Sequence, residues 1–213
     1  MGIEALLFDL GHVIVDFEMN GCIQTMVGHS PLGREAFERI LWDTGWIRRY
    51  ERGELSTREF HAFLCREAGL RMDYEGFHRC WSDVFDPELI VPGSLLAQLK
   101  QEYPLVLISN TNPAHAEHIR SNYGVFDYFE HQILSYEVGS LKPDRKIFEC
   151  AIEAVGRSPE SLLFIDDRAE NIETGRAMGM HTHLFESLAG LRRAFQHAGI
   201  KVGNFAHFDS DPV

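Results

Sequence analysis

The sequence is short of cysteine: Cys22, Cys65, Cys80 and Cys150 are scattered and form no C-x-x-C pair. Disulfide and zinc frameworks space their cysteines more tightly, so reduced thiols in a cytoplasmic protein are the expectation. It also lacks any apolar run approaching the roughly 18 residues of a membrane span. Met1-Gly2-Ile3-Glu4 leads straight into apolar residues with no basic leader, and Leu6 stands where a myristoylation signal wants Ser or Thr. Basic residues are outnumbered, 20 Lys+Arg against 32 Asp+Glu, for a formal charge of −12. Such a field grips neither a nucleic-acid backbone nor an anionic membrane. Internal repeats and low-complexity tracts are missing too, and the acidic Asp209-Ser210-Asp211 reads as a frayed end.

What is present suits a globular fold. With 45% apolar and 11% aromatic residues in 213, the chain can bury a core without staples, as one large domain or a domain carrying an insertion. Ala5–Phe8, Leu105–Ile108 and Ser161–Ile165 are short continuous apolar runs, the pattern of strands buried on both faces. Helical stretches lie between them. Asn112-Pro113 opens one to about Tyr123, Asp144–Val155 is closed by Gly156, and Glu170–Met178 ends at Gly179. The alternation predicts an α/β fold, a doubly wound Rossmann-like parallel sheet. From Asp16 to Leu89 the rhythm breaks into three helical patterns with no strand. Phe37, Ile40 and Leu41 mark the first, a Ser56/Glu59 capping box opens the second, and Asp73 caps a third carrying Phe77, Trp81 and Phe85. The expected organisation is an α/β core of residues 1–15 and 90–213 with an all-helical cap domain, 16–89, inserted.

Ligands of open α/β sheets bind beyond the carboxyl ends of the strands. The inferred strands end in Asp9, in Ser109-Asn110 and in Asp166-Asp167, and Ser140-Leu141-Lys142-Pro143 supplies an ammonium before a helix. Carboxylates converging on one point repel unless a cation lies among them, and hard Mg²⁺ prefers such oxygen ligands. The expected chemistry is metal-assisted phosphoryl transfer.

At these residues the sequence resembles the haloacid dehalogenase-like hydrolases. Phe8-Asp9-Leu10-Gly11-His12-Val13, Ile108-Ser109-Asn110, Leu141-Lys142-Pro143 and Phe164-Ile165-Asp166-Asp167 match that family's four motifs in order, and the helical insertion matches its cap. The run Asp9–Asp16, Glu51-Arg52-Gly53-Glu54 and Ser109–Asn112 resemble the branch of sugar-phosphate phosphatases typified by glucose-1-phosphate phosphatase. The resemblance implies Asp9 as nucleophile forming an aspartyl-phosphate. Ser109 and the backbone amide of Asn110 would hold phosphoryl oxygens, with Lys142 neutralising charge. Mg²⁺ would be held by Asp9, the Gly11 carbonyl, Asp166 and Asp167, and Asn171 would orient the acidic pair.

One departure stands out. Gly11 occupies the place of the family's usual acid–base aspartate. His12 is the nearest titratable substitute; its other reading is that this turn needs a left-handed residue, which His accepts better than most. With no substitute, substrates with good leaving groups should react fastest and the aspartyl-phosphate should accumulate. His115, on the first turn of a helix facing the site, is a candidate substrate contact, whereas His115 and His118 lack the partners for a metal site. His181 and His183, alternating on a strand, read as structural. In the cap, Trp46, Arg48, Arg49 and Arg52 join aromatic surface to positive charge and are candidate contacts for a sugar or second anionic group. The expected partner is a small phosphorylated metabolite; a metal-independent 2-haloacid dehalogenase and a catalytically weak phosphate-binding module are the competing readings. Monomer and dimer are both open.

Overall fold

In a computed structural model, residues 2–202 are described, and the acidic C-terminal residues lie outside them. In chain order the elements begin with β1 (Ala5–Phe8), β2 (Val15–Phe17) and the helices α1 (Asn20–Gly28), α2 (Arg34–Asp43), α3 (Trp46–Glu51), α4 (Thr57–Glu67) and α5 (Tyr74–Ser82). There follow β3 (Phe85–Leu89), α6 (Gly93–Glu102), β4 (Leu105–Ser109), α7 (Pro113–Tyr123), β5 (His131–Leu134) and α8 (Ser135–Val138). The chain continues through α9 (Arg145–Val155), β6 (Leu162–Asp166), α10 (Ala169–Ala177), β7 (His181–Leu184) and α11 (Leu188–His197).

Five strands form a parallel sheet in the order β5-β4-β1-β6-β7, with β1 at its centre. Strand alternation sorts the apolar runs onto two faces. Leu6, Phe8, Leu105 and Leu107 pack on one side with α6, α7 and α11, and Ala5, Leu7, Val106 and Ile108 on the other with α9. The expected caps are in place. Ser56 and Glu59 close a capping box on α4, Asp73 accepts from Gly76 N on α5, and Asn112 caps α7 ahead of Pro113.

The insertion is not all-helical as expected. It holds five helices, and β2 and β3 pair antiparallel as a ribbon at its two ends. Phe85 therefore starts a strand rather than continuing a helix. Pro87 and three exposed positions hid β3, because a solvated ribbon needs no apolar alternation. The helices gather a separate aromatic core around Tyr50, Phe60, Phe63, Phe77 and Trp81. The four cysteines are free, and Cys22 and Cys80 meet across α1 and α5 with their sulfurs 2.6 Å apart. Among the described residues no helix is long and apolar enough to cross a membrane.

Candidate active site

The three central strands β4, β1 and β6 end side by side, which brings Ser109, Asp9 and Asp166 to one edge of the sheet. Lys142 arrives from the loop before α9, fully buried, and bridges two of them. Its Nζ lies 2.8 Å from Asp9 Oδ1 and 2.6 Å from Asp166 Oδ2. Asn110 holds that loop in place by a reciprocal pair of bonds. Its Nδ2 donates to the Lys142 carbonyl (2.9 Å), and its Oδ1 accepts from the Lys142 amide (2.7 Å). The Asn110 side chain thus has a structural task, while the residue still lines both cavities beside the site.

Electrostatics follow from this burial. Loss of water pushes the Asp9 carboxyl up to about 7, with the Lys142 ammonium pulling down and Asp166 pushing up. Burial alone would lower Lys142, but the two carboxylates outweigh it and hold the ammonium above its ordinary value. Asp167 is half-buried and also raised, by burial and by Asp166 beside it. Oxygens of Asp9, Asp166 and Asp167 all lie within 4.8 Å of one another. Hard carboxylate donors so arranged fit Mg²⁺.

The acidic pair divides its work. Asp166 accepts from Lys142, from the Arg168 amide (2.8 Å) and from Asn171 Nδ2 at both oxygens (2.9 and 3.0 Å). Its oxygens are occupied, whereas the Asp167 side chain carries no hydrogen bond to another side chain among the described residues. Asn171 therefore orients Asp166 rather than the pair.

Other candidates land differently. His12 adopts a left-handed φ of 55°, its Nδ1 sits 2.7 Å from Asp16 Oδ1, and its ring stacks on Phe17. That accounts for the residue as a turn former. Beside Ser109 opens a cavity of about 200 Å³ with largely apolar walls, among them Phe17, Trp42, Ile47, Trp81 and Phe85. His115 lines it. Its Nε2 lies 2.8 Å from the Trp81 carbonyl, so that nitrogen must carry the proton, and Nδ1 remains an acceptor. Burial lowers the ring to about 4, which keeps it neutral.

Arg49 lies elsewhere. It stacks over Trp46 at 4.5 Å and pairs with Glu54 at 2.9 Å, and it lines neither cavity beside the site. Its neighbours Arg48 and Arg52 do, in a second cavity of about 380 Å³ shared with Asn110, Lys142 and Arg168. Sequence reasoning missed Trp42, and it marked Glu51 only as part of the Glu51–Glu54 run, without a role. Among the described acidic residues, Glu51 alone lines both spaces.

The haloacid dehalogenase-like hydrolase family model matches residues 3–179. The chain belongs to that family. A D-ribitol-5-phosphate phosphatase of Bacteroides thetaiotaomicron is 28% identical over 197 residues, spanning 90% of this chain and 96% of its own. An (S)-2-haloacid dehalogenase of a Pseudomonas strain is 27% identical over 192 residues, 84% of this chain and 81% of its own. Among solved structures, a family enzyme from Bacteroides thetaiotaomicron in complex with magnesium and inorganic phosphate superposes with a TM-score of 0.74. It is 28% identical and covers 88% of this chain and 96% of its own.

Proposed function

We propose that this haloacid dehalogenase-like hydrolase is a Mg²⁺-dependent phosphatase of a small phosphorylated metabolite, working from the cytoplasm. The observation that carries the reading is Lys142 between Asp9 and Asp166, with Asp167 alongside. A dehalogenase attacking carbon needs no metal and would leave this acidic cluster without a task.

Asp9 is the nucleophile, with a carboxylate oxygen aimed by the Leu10 amide at 2.7 Å. The Ser109 hydroxyl and the Asn110 amide hold phosphoryl oxygens, and Lys142 offsets the charge shared between Asp9 and phosphate. Asp9, Asp167 and the Gly11 carbonyl would hold Mg²⁺, with Asp166 beside them keeping Lys142 in position. When bound, the ion stabilises negative charge on the transferring phosphoryl group. The leaving group occupies the aromatic-walled cavity under residues 16–89, which act as the cap. With His115 offering an acceptor there and Arg48 and Arg52 lining the second cavity, a polyol or sugar phosphate suits the site. EDTA should abolish hydrolysis of p-nitrophenyl phosphate and Mg²⁺ should restore it. Full turnover in chelator sinks the reading.

A further inference from the structure

Phosphoryl transfer to Asp9 leaves an alkoxide that needs a proton, and the position that usually supplies one is closed here. A Cβ on Gly11 would come within 2.8 Å of Phe17 Cε1. That ring is fixed between His12 (4.4 Å) and Phe85 (5.7 Å), so the space for an acid at residue 11 is filled with aromatic carbon. His12 does not line the leaving-group cavity, and neutral His115 has committed its only N–H to Trp81. Glu51 remains as the sole acidic residue lining that cavity among the described residues, and it also lines the second cavity with Lys142 and Asn110.

Its placement is built rather than incidental. The Glu51 carbonyl accepts from Ser135 Oγ at 2.7 Å, and the same hydroxyl accepts from the Thr111 amide at 2.9 Å. One side chain so ties Glu51, at the end of α3, to the Ser109–Asn112 segment. Two residues on, Gly53 has a φ of 72°, and a Cβ there would lie 2.1 Å from the Tyr136 carbonyl oxygen. Arg52 pairs with Asp144 at 3.6 Å. The Glu51 carboxylate itself takes no hydrogen bond from another side chain among the described residues.

Resting on the phosphatase reading, we propose that Glu51 is the acid–base catalyst, giving a proton to the leaving oxygen and later taking one from water. In the first step an Asp9 oxygen bonds to phosphorus, the phosphorus–oxygen bond to the alcohol breaks, and the Glu51 proton completes the alcohol. In the second, water oxygen attacks phosphorus while Glu51 takes its proton and the Asp9–phosphorus bond breaks. Inorganic phosphate leaves, and both carboxyl groups return to their starting state. Burial raises Glu51 to about 7 against the pull of Arg48 and Arg168, the range an acid that must also serve as a base requires. The other charged groups around it are Arg52, Lys142, Asp144 and Glu170 on the second cavity, with neutral His115 on the first.

The test is Glu51→Gln with saturating Mg²⁺ on p-nitrophenyl phosphate and on phenyl phosphate, whose leaving group is a stronger base. We expect kcat/KM to fall about 10²-fold or more for phenyl phosphate and far less for the nitrophenyl ester. A burst of nitrophenolate should precede the steady state, because water attack has lost its base. Glu51→Asp should retain part of the activity, and formate should rescue Glu51→Ala. Equal losses on both esters, with no burst and no rescue, overturn the assignment while leaving the phosphatase reading intact. A wild-type protein inactive on both esters with Mg²⁺ overturns that reading and this inference together.

Discussion

Replacing Gly53 with alanine sets a methyl group against backbone rather than against a side chain that could swing aside. The left-handed φ of 72° costs an L-residue about 1–2 kcal/mol. The added carbon would stand 2.1 Å from the Tyr136 carbonyl oxygen, where an ordinary carbon–oxygen contact is about 3.3 Å. The loop must retreat by about an ångström, which draws the Glu51 carbonyl off Ser135 and forfeits about 1 kcal/mol more. The sum is about 2–3 kcal/mol against the docked segment, or a ~30- to 150-fold fall in its population at about 1.4 kcal/mol per decade. Urea denaturation of α8 and the helical segment, read beside kcat/KM on an aryl phosphate, measures both consequences. Turnover should fall even where global stability survives, since an undocked loop takes Glu51 with it. A variant melting within 0.5 kcal/mol of the parent with unchanged kcat/KM would refute the close approach.

Gly11→Ala should cost about 1–3 kcal/mol by overpacking against Phe17, and Phe17→Leu should relieve part of it; additive losses in a denaturation cycle count against the contact. Asn171→Asp exchanges two donated bonds to Asp166 for like-charge repulsion, so the metal-free melting temperature should drop by several degrees and Mg²⁺ should recover part of it. Asp9→Asn should lose nearly all turnover and keep its circular dichroism spectrum, because an amide cannot attack phosphorus. His115 is held at about 4 when folded against its ordinary 6.5, so the unfolded chain binds more protons between those values. Stability should therefore rise with pH from 4 to 6.5 and level off above, and His115→Gln should flatten that rise in urea titrations.

The parts of this molecule that can be read from the sequence are those decided by nearby residues. Leu6, Leu105 and Leu163 lie in runs apolar enough to be buried on both faces, and the next polar residue after such a run falls at the sheet edge. That local logic found Asp9, Ser109 and Asp166, and the caps Ser56, Asp73 and Asn112. It failed where a residue's neighbours come from afar. Arg48 and Arg49 are adjacent on a six-residue helix, and only the docking of that helix decides which one meets the cavity. Glu51 stood out only as part of the Glu51–Glu54 run, with no role of its own, and its fixed place comes from Ser135, 84 positions along the chain. The strand β5 escaped because His131 and Gln132 open it with polar groups at the sheet's edge.

Ser135 has one hydroxyl proton and two carbonyls to offer it to, Glu51 at 2.7 Å and Thr111 at 2.9 Å. While the Glu51 loop is seated, the proton can point outward to it. Should the loop lift to admit substrate or free the alcohol, a rotation about one bond re-aims that proton at Thr111, and no donor is stranded in the interior. The Glu51 carbonyl, for its part, meets water. The latch is accordingly cheap to open, since an orphaned buried hydroxyl costs about 1–3 kcal/mol and this one never becomes an orphan. A hydroxyl with a second acceptor in reach lets the same contact hold the Glu51 segment and let it go without stranding a donor.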